Sequence, residues 1–452
     1  MKIRTFLMVS GCAALMAAVT GSVLAQNNAA PPPGNRAGGA PPPGGRGFAP
    51  RSTQKHLLYI ALPGDNGADG QSGILVLDAD HNYRFVARIP YGLAASKLPG
   101  SKISGMTASV PENKIYITTD DGQMMAFDLG TDKMVWDFKG EKNAAKSSRR
   151  GAAADGCCER PWTMPGGKAL MVASGYNAWW WFIDAHTGKI LGKIDTPQAP
   201  NSHNLTLTAD GTFGALASLS GGENANVAIV NISHNGNSYS GKVKCYIHFS
   251  DSPRPLTMNA DGSLIYVNVN NLDGFEIGDT KTCKMIKRVE LPGNLWKAKW
   301  AEPNHRFFGH GLPSHGIGMT PDGKEIWVTD AANSSWQIWD VNGDGRNPVY
   351  NPAKTVKVEE GSVSGGSSWI TMTNDGKLAF AGDGSIIDVR AHKMIGQMKD
   401  EYGHLVHATE KVMYGTFDDG KLLEATNQFA VGGAKPADKP ADKAMPEKQA
   451  RN

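Results

Sequence analysis

The chain has 452 residues, 54 of them glycine, and a formal net charge of +3 at pH 7. Much of the positive excess lies in the two tails, so the charge of the central region gives no reason to expect nucleic-acid binding. After the N-terminal segment, no run approaches the roughly 18 unbroken apolar residues that a membrane helix needs. This length accommodates two or three ordinary domains or one large repeat domain.

The N-terminal residues predict export. Residues 1–25 are typical of a secretory signal peptide, because Lys2 and Arg4 precede a mostly apolar stretch at 6–18 and small residues mark a cleavage site at 23–25. The alternative is a lipoprotein box that ends at Cys12 and would anchor the chain by lipid. Residues 26–55 form a Pro/Gly-rich linker that is too poor in apolar side chains to fold. We therefore expect a periplasmic or secreted protein.

A turn tripeptide recurs along the central region at intervals of 44 to 61 residues. Its copies are Pro111-Glu112-Asn113, Pro165-Gly166-Gly167, Ala209-Asp210-Gly211, Ala260-Asp261-Gly262, Pro321-Asp322-Gly323 and Asn374-Asp375-Gly376. Each copy precedes a strand-like run, and a Gly-containing turn between two such runs indicates a β-hairpin. A period near 50 made of strands and turns is typical of a β-propeller with one four-stranded blade per repeat.

The two ends of this region are incomplete repeats that complement each other. The first has strand-like runs at 56–62, 73–77 and 85–89 but lacks an inner strand, whereas runs at 404–407 and 412–416 begin a repeat that is not finished. We predict an all-β fold, a seven-bladed β-propeller of four-stranded antiparallel blades over residues 56–431. The N- and C-terminal strands close the ring and leave no free edge. Residues 432–452 form a Lys/Pro/Ala-rich tail that we expect to be disordered.

Three segments that follow turns carry a resemblance to a known family. KIYIT (114–118), IYVN (265–268) and IWVTD (326–330) resemble the repeat of the YVTN family of β-propellers, which includes YncE-like proteins. The resemblance extends over residues 56–423 and implies a seven-bladed, WD40-like fold. It implies little about activity, because the superfamily contains lactonases, dehydrogenase subunits, surface-layer proteins and many binding proteins.

A second resemblance is confined to two repeats. AFDLGTDKMVW (126–136) is similar to the A-x-D-x-x-T-G-K-x-x-W repeat of quinoprotein dehydrogenases, and DAHTGK (184–189) contains part of it. Some of those enzymes stack a vicinal disulfide on their quinone, and Cys157 and Cys158 are adjacent here. The chain is too short for their usual eight blades, and most of its repeats lack the motif. Quinone is therefore an alternative cofactor only.

The cysteines leave several pairings open. Four remain if the signal peptide is removed, and an even number in an oxidising compartment permits disulfides. Cys157 and Cys158 could bond to each other, Cys245 could bond to Cys283 across consecutive repeats, or all four could be free thiols.

The turn tripeptide allows the repeats to be compared position by position. The residues six before the turn are Gly105, Glu159, His203, Arg254, His315 and Ser368, and those five before it are Met106, Arg160, Asn204, Pro255, Gly316 and Trp369. These positions begin the strand nearest the propeller axis, where the blades converge, and many of them are large and polar. Ligand sites need convergent polar groups in a cleft. We predict a cationic, aromatic-edged funnel formed by Arg160, His203, Arg254, His310, His315 and Trp369, with His404 nearby.

This funnel supports more than one function. Arginine suits carboxylate and phosphate recognition, so we expect a small anionic ligand; a polymeric ligand or a partner protein fits the same mouth. The alternative is a periplasmic lactonase or lyase in which His203 and His315 act as acid and base, or a quinone-dependent enzyme. Solvated scaffold is the simplest reading for any one of these residues.

Two further patterns are ambiguous. Asp340, Asn342 and Asp344 match the start of a calcium loop, but Asn351 stands where the bidentate glutamate is expected. The spacing of the histidines between 305 and 315 fits no compact metal-binding motif, so a divalent metal is an alternative cofactor without a defined site.

Three consecutive tryptophans, Trp179, Trp180 and Trp181, alternate in direction if they lie on a strand. We therefore predict packing between blades, with a carbohydrate-stacking platform as the alternative.

Overall fold

In a computed structural model of the protein, the described residues are 55–62, 73–91, 103–119, 122–139, 158–175, 177–291, 313–331, 333–358, 369–406 and 412–426. They form seven antiparallel sheets arranged as the blades of a propeller. The predicted signal peptide, lipoprotein box and C-terminal tail lie outside the described residues, as do Cys157 and His310.

The strands follow one another in chain order, with the innermost strand of each blade first. The N-terminal strands are β1 (His56–Leu62), β2 (Gly73–Asp78) and β3 (Arg84–Ile89). Blade 1 contains β4 (Ile103–Ser109), β5 (Lys114–Thr119), β6 (Gln123–Asp128) and β7 (Lys133–Lys139). Blade 2 contains β8 (Pro161–Thr163), β9 (Ala169–Ala173), β10 (Trp179–Asp184) and β11 (Ile190–Asp195). Blade 3 contains β12 (Ser202–Leu207), β13 (Phe213–Ser218), β14 (Asn226–Asn235) and β15 (Ser238–His248).

The remaining blades vary this pattern. Blade 4 contains β16 (Pro253–Met258), β17 (Leu264–Val269), β18 (Gly274–Asp279) and β19 (Lys284–Glu290). Blade 5 contains β20 (Ile317–Met319), β21 (Glu325–Asp330), β22 (Ser335–Asp340), β23 (Val349–Tyr350) and β24 (Val356–Lys357). Blade 6 contains β25 (Ile370–Met372), β26 (Leu378–Ala381), β27 (Ser385–Asp388) and β28 (Lys393–Gln397). The last strands are β29 (Val412–Asp418) and β30 (Lys421–Ala425).

Helices contribute little to the described part of the chain. They are three short 3-10 helices at Ala79–His81, Gly222–Asn224 and Pro352–Lys354. Within the described residues, no helix has the length and apolar character needed to cross a membrane.

The recurring tripeptide joins the innermost strand of each of blades 1 to 6 to its neighbour. In all six copies the third residue has a φ between 52° and 71°, a region that glycine and asparagine tolerate best. Its N–H donates to the carbonyl three residues earlier, as from Gly323 to Thr320 at 2.8 Å. The recurrent Gly or Asn at this position is therefore explained by the turn geometry.

Blade 7 closes the ring as predicted, by pairing the N-terminal strand β1 with the C-terminal strand β29. Two details differ from the sequence prediction. Residues 404–406 do not form a strand, and Leu405 makes only an isolated bridge with Lys399. The chain also adds β30, a fifth strand paired with β29.

Strand β30 is tied to both neighbours of blade 7. The N–H of Leu422 donates to Oδ1 of Asn113, in the inner turn of blade 1, at 2.8 Å. Nδ2 of Asn374, in the inner turn of blade 6, donates to Oε1 of Glu424 at 2.7 Å. The last strand therefore fastens the ring on the face where the inner strands end.

The three consecutive tryptophans divide between the two faces of blade 2, as the alternation of a strand requires. Trp180 packs in the core between blades 2 and 3, which includes Leu205. Trp181 packs in the core between blades 1 and 2, which includes Tyr116. Trp179 is half-buried beneath Nζ of Lys193, 4.5 Å from its ring centroid. The prediction of packing between blades is confirmed for Trp180 and Trp181.

The motif shared with quinoprotein repeats has a structural role in this chain. Oδ1 of Asp128 accepts the N–H of Thr131 at 2.8 Å, and Oδ1 of Asp184 accepts the N–H of Thr187 at 2.7 Å. Both turns join the third and fourth strands of a blade. The Asp and Thr of the motif therefore cap a hairpin turn, which requires no cofactor.

Blades 3 and 4 are joined by a covalent bond. Cys245 on β15 forms a disulfide with Cys283, in the turn before β19. Of the pairings that the sequence left open, this one is present. Cys158 is disulfide-bonded as well, and its vicinal neighbour Cys157 lies outside the described residues.

Inner turns of adjacent blades pack on each other, and two glycines allow this contact to be tested. A Cβ at Gly211 would lie 2.5 Å from Cδ of Pro165 in the preceding blade, whereas a Cβ at Gly323 would meet nothing within 4 Å. Both residues have positive φ. We expect Gly323→Ala to cost about 1–2 kcal/mol of unfolding free energy through backbone strain alone, and Gly211→Ala to cost more. Urea unfolding of both variants measures the difference; equal losses would contradict packing between the turns.

Candidate functional site

The residues that the sequence placed at the axis lie at the start of the inner strands. Arg160 directly precedes β8, His203 and Arg254 are the second residues of β12 and β16, and Trp369 directly precedes β25. His315 lies two residues before β20. We call the face at which the inner strands begin the upper face, and the opposite one the lower face.

Three basic side chains from three blades converge on one tryptophan from a fourth. Cζ of Arg160 lies 4.6 Å from the ring centroid of Trp369. The rings of His203 and His315 meet the same indole edge to face, with centroid distances of 6.3 Å and 5.4 Å. Blades 2, 3, 5 and 6 thus contribute to a single cluster, in which four of the six predicted funnel residues lie together.

The cluster is closed to solvent. Arg160, His203, His315 and Trp369 are each at most 3% exposed. Trp369 belongs to the same hydrophobic core as residues of blades 2 to 4, although it lies on blade 6. Its indole therefore reaches across the axis.

A carboxylate that the site prediction did not include orients one of these histidines. Oε2 of Glu159 lies 3.0 Å from Nδ1 of His203, and Glu159 is 8% exposed. An anchored Nδ1 fixes the plane of the ring and turns Nε2 away from the carboxylate. Glu159 lies six residues before its turn, as His203 and His315 do. This shared position is the sequence signal from which Glu159 could have been identified.

Arg254 and Asn204 are two further buried polar residues at the start of the inner strands of blades 4 and 3. Arg254 is 3% exposed, and its Nη1 hydrogen bonds to Oγ of Ser252. Oδ1 of Asn204 accepts the N–H of Leu256 in the next blade at 3.1 Å. Nδ2 of Asn204 is buried and has no hydrogen-bond acceptor among the described residues. A buried donor of this kind is costly unless something satisfies it.

Two carboxylates flank the segment that carries His315, at the seam of blades 4 and 5. Oγ of Ser314 donates to Oδ1 of Asp273 at 3.3 Å, and Asp330 lies where β21 ends on the same face. Asp273 and Asp330 are 5% and 1% exposed. Burial and the charge of Asp330 raise the pKa of Asp273 to about 7. The sequence analysis did not single out either residue, although a count of nine residues forward from the first turn residue reaches Asp330.

The other candidate residues lie apart from the cluster. His404 is largely exposed and its Nδ1 lies 3.2 Å from Oδ2 of Asp400. In the calcium-like loop, Asp340 accepts from Nζ of Lys354 at 2.6 Å, and Asp344 pairs with Arg346 at 3.2 Å. No group of three or more His, Cys, Asp or Glu suited to a metal ion occurs among the described residues.

The lower face has a separate cavity of about 520 Å³ between blades 5 and 6. Glu325 lines this cavity. Its Oε1 accepts a hydrogen bond from Nζ of Lys354 at 2.6 Å and lies 3.0 Å from Nε2 of His392. The ring of His392 stacks on Trp327 at 5.7 Å. The carboxylate is therefore fully engaged.

A similar group joins blades 1 and 2. Oε2 of Glu112 lies 2.7 Å from Nδ1 of His186 and 3.0 Å from Nζ of Lys114. Because a Glu-His-Lys contact recurs at two seams of the lower face, we interpret it as a link between blades. The axial cluster, which mixes residues of four blades, is the stronger candidate site.

The central role of Trp369 predicts a stability effect. Trp369→Ala removes a buried indole that several blades contact, and we expect a loss of about 3–5 kcal/mol in the free energy of unfolding. Trp179→Ala is the matched control, because that ring is half-buried at the edge of a blade and should cost clearly less. Urea unfolding of the two variants gives both values. Equal losses would mean that Trp369 does not hold the axis together.

Comparisons with known proteins support the fold. Neither a protein-family model nor a curated protein matches the chain. The structure is similar to that of a functionally unknown protein from Desulfotomaculum acetoxidans, with a TM-score of 0.54 and 10% identity over 79% of this chain and 98% of that one. This likeness extends to the propeller fold alone.

Two further structures are less similar. The β-propeller domain of Swd1 from Myceliophteria thermophila gives a TM-score of 0.47 and 11% identity, over 73% of this chain and 98% of that domain. A chain of the mitotic checkpoint complex gives a TM-score of 0.46 and 12% identity, over 72% of this chain and 80% of that one.

Proposed function

We propose that the protein is an exported β-propeller of the YVTN type that binds a small anionic ligand at the upper mouth of its axis. The observation that carries the proposal is the convergence of Arg160, His203 and His315, from three blades, on Trp369 of a fourth. Export and family rest on the N-terminal residues and the repeat segments of the sequence.

The chemistry of the cluster favours an oxyanion, either planar like a carboxylate or tetrahedral like a phosphate. The guanidinium of Arg160 offers paired N–H donors that match a carboxylate or phosphate. The low dielectric of a buried cluster strengthens the attraction between this guanidinium and an anion.

The burial of the cluster sets the expected kinetics. Since the four residues are at most 3% exposed, a ligand reaches them only after a local opening of the upper face. An opening step lowers association rates below those of a preformed open site. We therefore expect slow binding that accelerates with temperature.

An anion screen tests the proposal. We expect sulfate, phosphate or short carboxylates to raise the melting temperature of the wild-type protein, because a ligand that binds only the folded state stabilises it. Arg160→Gln should reduce the apparent affinity at least tenfold, because hydrogen bonds to charged groups contribute about 1.5–3 kcal/mol each. Arg84→Gln, on the exposed strand β3, is the matched control and should bind as the wild type does. An equal response of wild type and Arg160→Gln would contradict the site.

The pair of Glu159 and His203 favours a second candidate function, a lactonase or lyase. A histidine whose Nδ1 lies 3.0 Å from a carboxylate is oriented as general bases are in many enzymes. In this role Nε2 of His203 would take a proton from water or substrate, and Arg160 would stabilise the developing negative charge.

The enzyme alternative predicts a distinct mutational pattern. If the protein hydrolyses any member of a lactone panel, His203→Gln should abolish turnover. Glu159→Gln should lower kcat by about 10²-fold or more with little change in KM, because it disturbs a group that acts in the transition state. A binding protein would show no turnover in any variant and would lose anion affinity mainly through Arg160.

A further inference from the structure

The segment that carries His315 is held at the seam of blades 4 and 5 by contacts from both blades. From blade 4, the N–H of Gly274 donates to Oγ of Ser314 at 3.0 Å, and Oδ1 of Asn268 accepts the N–H of Gly316 at 3.1 Å. From blade 5, Oγ1 of Thr329 accepts the N–H of His315 at 2.9 Å. The hydroxyl of Ser314 completes the set by donating to Asp273. Asp273 therefore contacts Ser314, the residue directly before His315 of the axial cluster.

The charges that act on Asp273 are mostly negative. Asp330 on β21 and Glu290 on β19 both raise its pKa, whereas the hydrogen bond from Ser314 lowers it. Both oxygens of Asp330 accept from neutral donors, namely the N–H and Nδ2 of Asn333 and Nε2 of Gln337.

Other charged groups nearby are already engaged. Glu276 lies on β18, which begins directly after Asp273, and pairs with Arg288 at 3.1 Å; Arg288 also contacts Glu290. Asp251, on the connection before β16, accepts from Asn271 in the turn that carries Asp273. The seam thus holds two buried carboxyls, Asp273 and Asp330, close to the segment that carries His315.

We propose that Asp273 is a proton-linked switch on the axial site, neutral when the site holds an anion and ionised when the site releases it. The proposal deepens the proposed function and rests on it. An ionised Asp273 would place a second negative charge beside Asp330 and next to the His315 segment. Repulsion between this charge and a bound anion is expected to weaken binding on the order of tenfold.

The sign of the effect follows from the titration of Asp273. Its pKa is raised from 3.8 to about 7, so the folded protein keeps the proton up to neutral pH whereas the unfolded chain releases it near pH 4. The stability that the neutral carboxyl contributes is therefore fully present below about pH 4 and is lost as the pH rises to about 7. Anion affinity depends on the folded protein alone and decreases as the pH rises through 7. The change falls within the physiological range.

The test uses inorganic sulfate, whose charge is constant between pH 5.5 and pH 8.5, as the probe. Apparent affinities from thermal-shift titrations are compared for wild type, Asp273→Asn and the control Asp388→Asn, which removes the same charge from a lower-face turn. We expect Asp273→Asn to match wild type at pH 5.5 and to bind about tenfold more tightly at pH 8.5. The control should follow wild type at both pH values. Comparing variants at one pH separates the effect of Asp273 from that of every other group in the protein.

A second variant covers the case in which Asp273→Asn fails to fold. Asp330→Asn removes the neighbouring charge, so the loss of sulfate affinity should move to lower pH. Equal affinity of wild type and Asp273→Asn at pH 8.5, or weaker binding by the variant, would overturn the switch. An unshifted midpoint in Asp330→Asn would overturn it as well.

Melting temperatures measured without sulfate distinguish a failure of the Asp273 switch from a failure of the proposed anion site. Without sulfate, Asp273→Asn should melt at a higher temperature than wild type at both pH values, with the larger difference at pH 8.5. If this difference is present but sulfate stabilises neither protein at either pH, the anion site itself is refuted. If sulfate binds and the melting temperatures do not differ, only the role of Asp273 is refuted.

Discussion

The geometry of the axis depends on one local constraint, the left-handed residue at the third position of each inner turn. A φ between 52° and 71° at that residue, together with a hydrogen bond back across the turn, reverses the chain at the same point in six blades. The inner strands therefore end level with each other on the lower face. Because each inner strand runs into this turn, residues at the same count before the turn lie at one height, and those five and six before it gather on the upper face.

This constraint explains why a cluster of side chains from distant parts of the sequence forms at all. Arg160 and Trp369 are separated by more than half of the propeller sequence but occupy the same turn-relative position, and they stack with 4.6 Å between guanidinium and ring. A large aromatic ring that reaches across the axis gives the basic residues a common surface. The propeller thus gathers charged side chains on the upper face, where the inner strands begin. The lower face, where β30 bonds to both neighbouring blades, carries contacts that link one blade to the next.

The upper face is also where stability and function oppose each other. Burial of arginine, histidine and carboxyl groups is costly unless each is paired or, in the case of histidine and the carboxyls, neutral. The Glu159–His203 contact offsets part of this cost. Burial and the charge of Asp330 raise the pKa of Asp273 to about 7, so that carboxyl is mostly neutral below this pH. Groups held in this way respond readily to an added anion or to a change in pH.

The sequence was sufficient for the architecture because turn residues and strand periodicity are local properties. The repeat of Gly or Asn in the inner turns predicted the number of blades, the closure by terminal strands and the positions that face the axis. Strand β30 escaped detection, since a single short strand after the last repeat has no periodic signal. The charged residues 421 and 424 also make it look like part of the tail.

What the sequence could not decide are the contacts between blades, which join residues tens to hundreds of positions apart. The convergence of Arg160, His203 and His315 on Trp369, the pairing of Asp273 with Ser314 across a seam, and the choice of Cys283 as the partner of Cys245 all depend on how neighbouring sheets are packed and twisted. A position relative to a turn determines the height of a residue along its strand. Which side chain of another blade it contacts depends on the assembled ring. The distance between side chains of two blades is set by the packing of the sheets and cannot be read from the sequence of either blade.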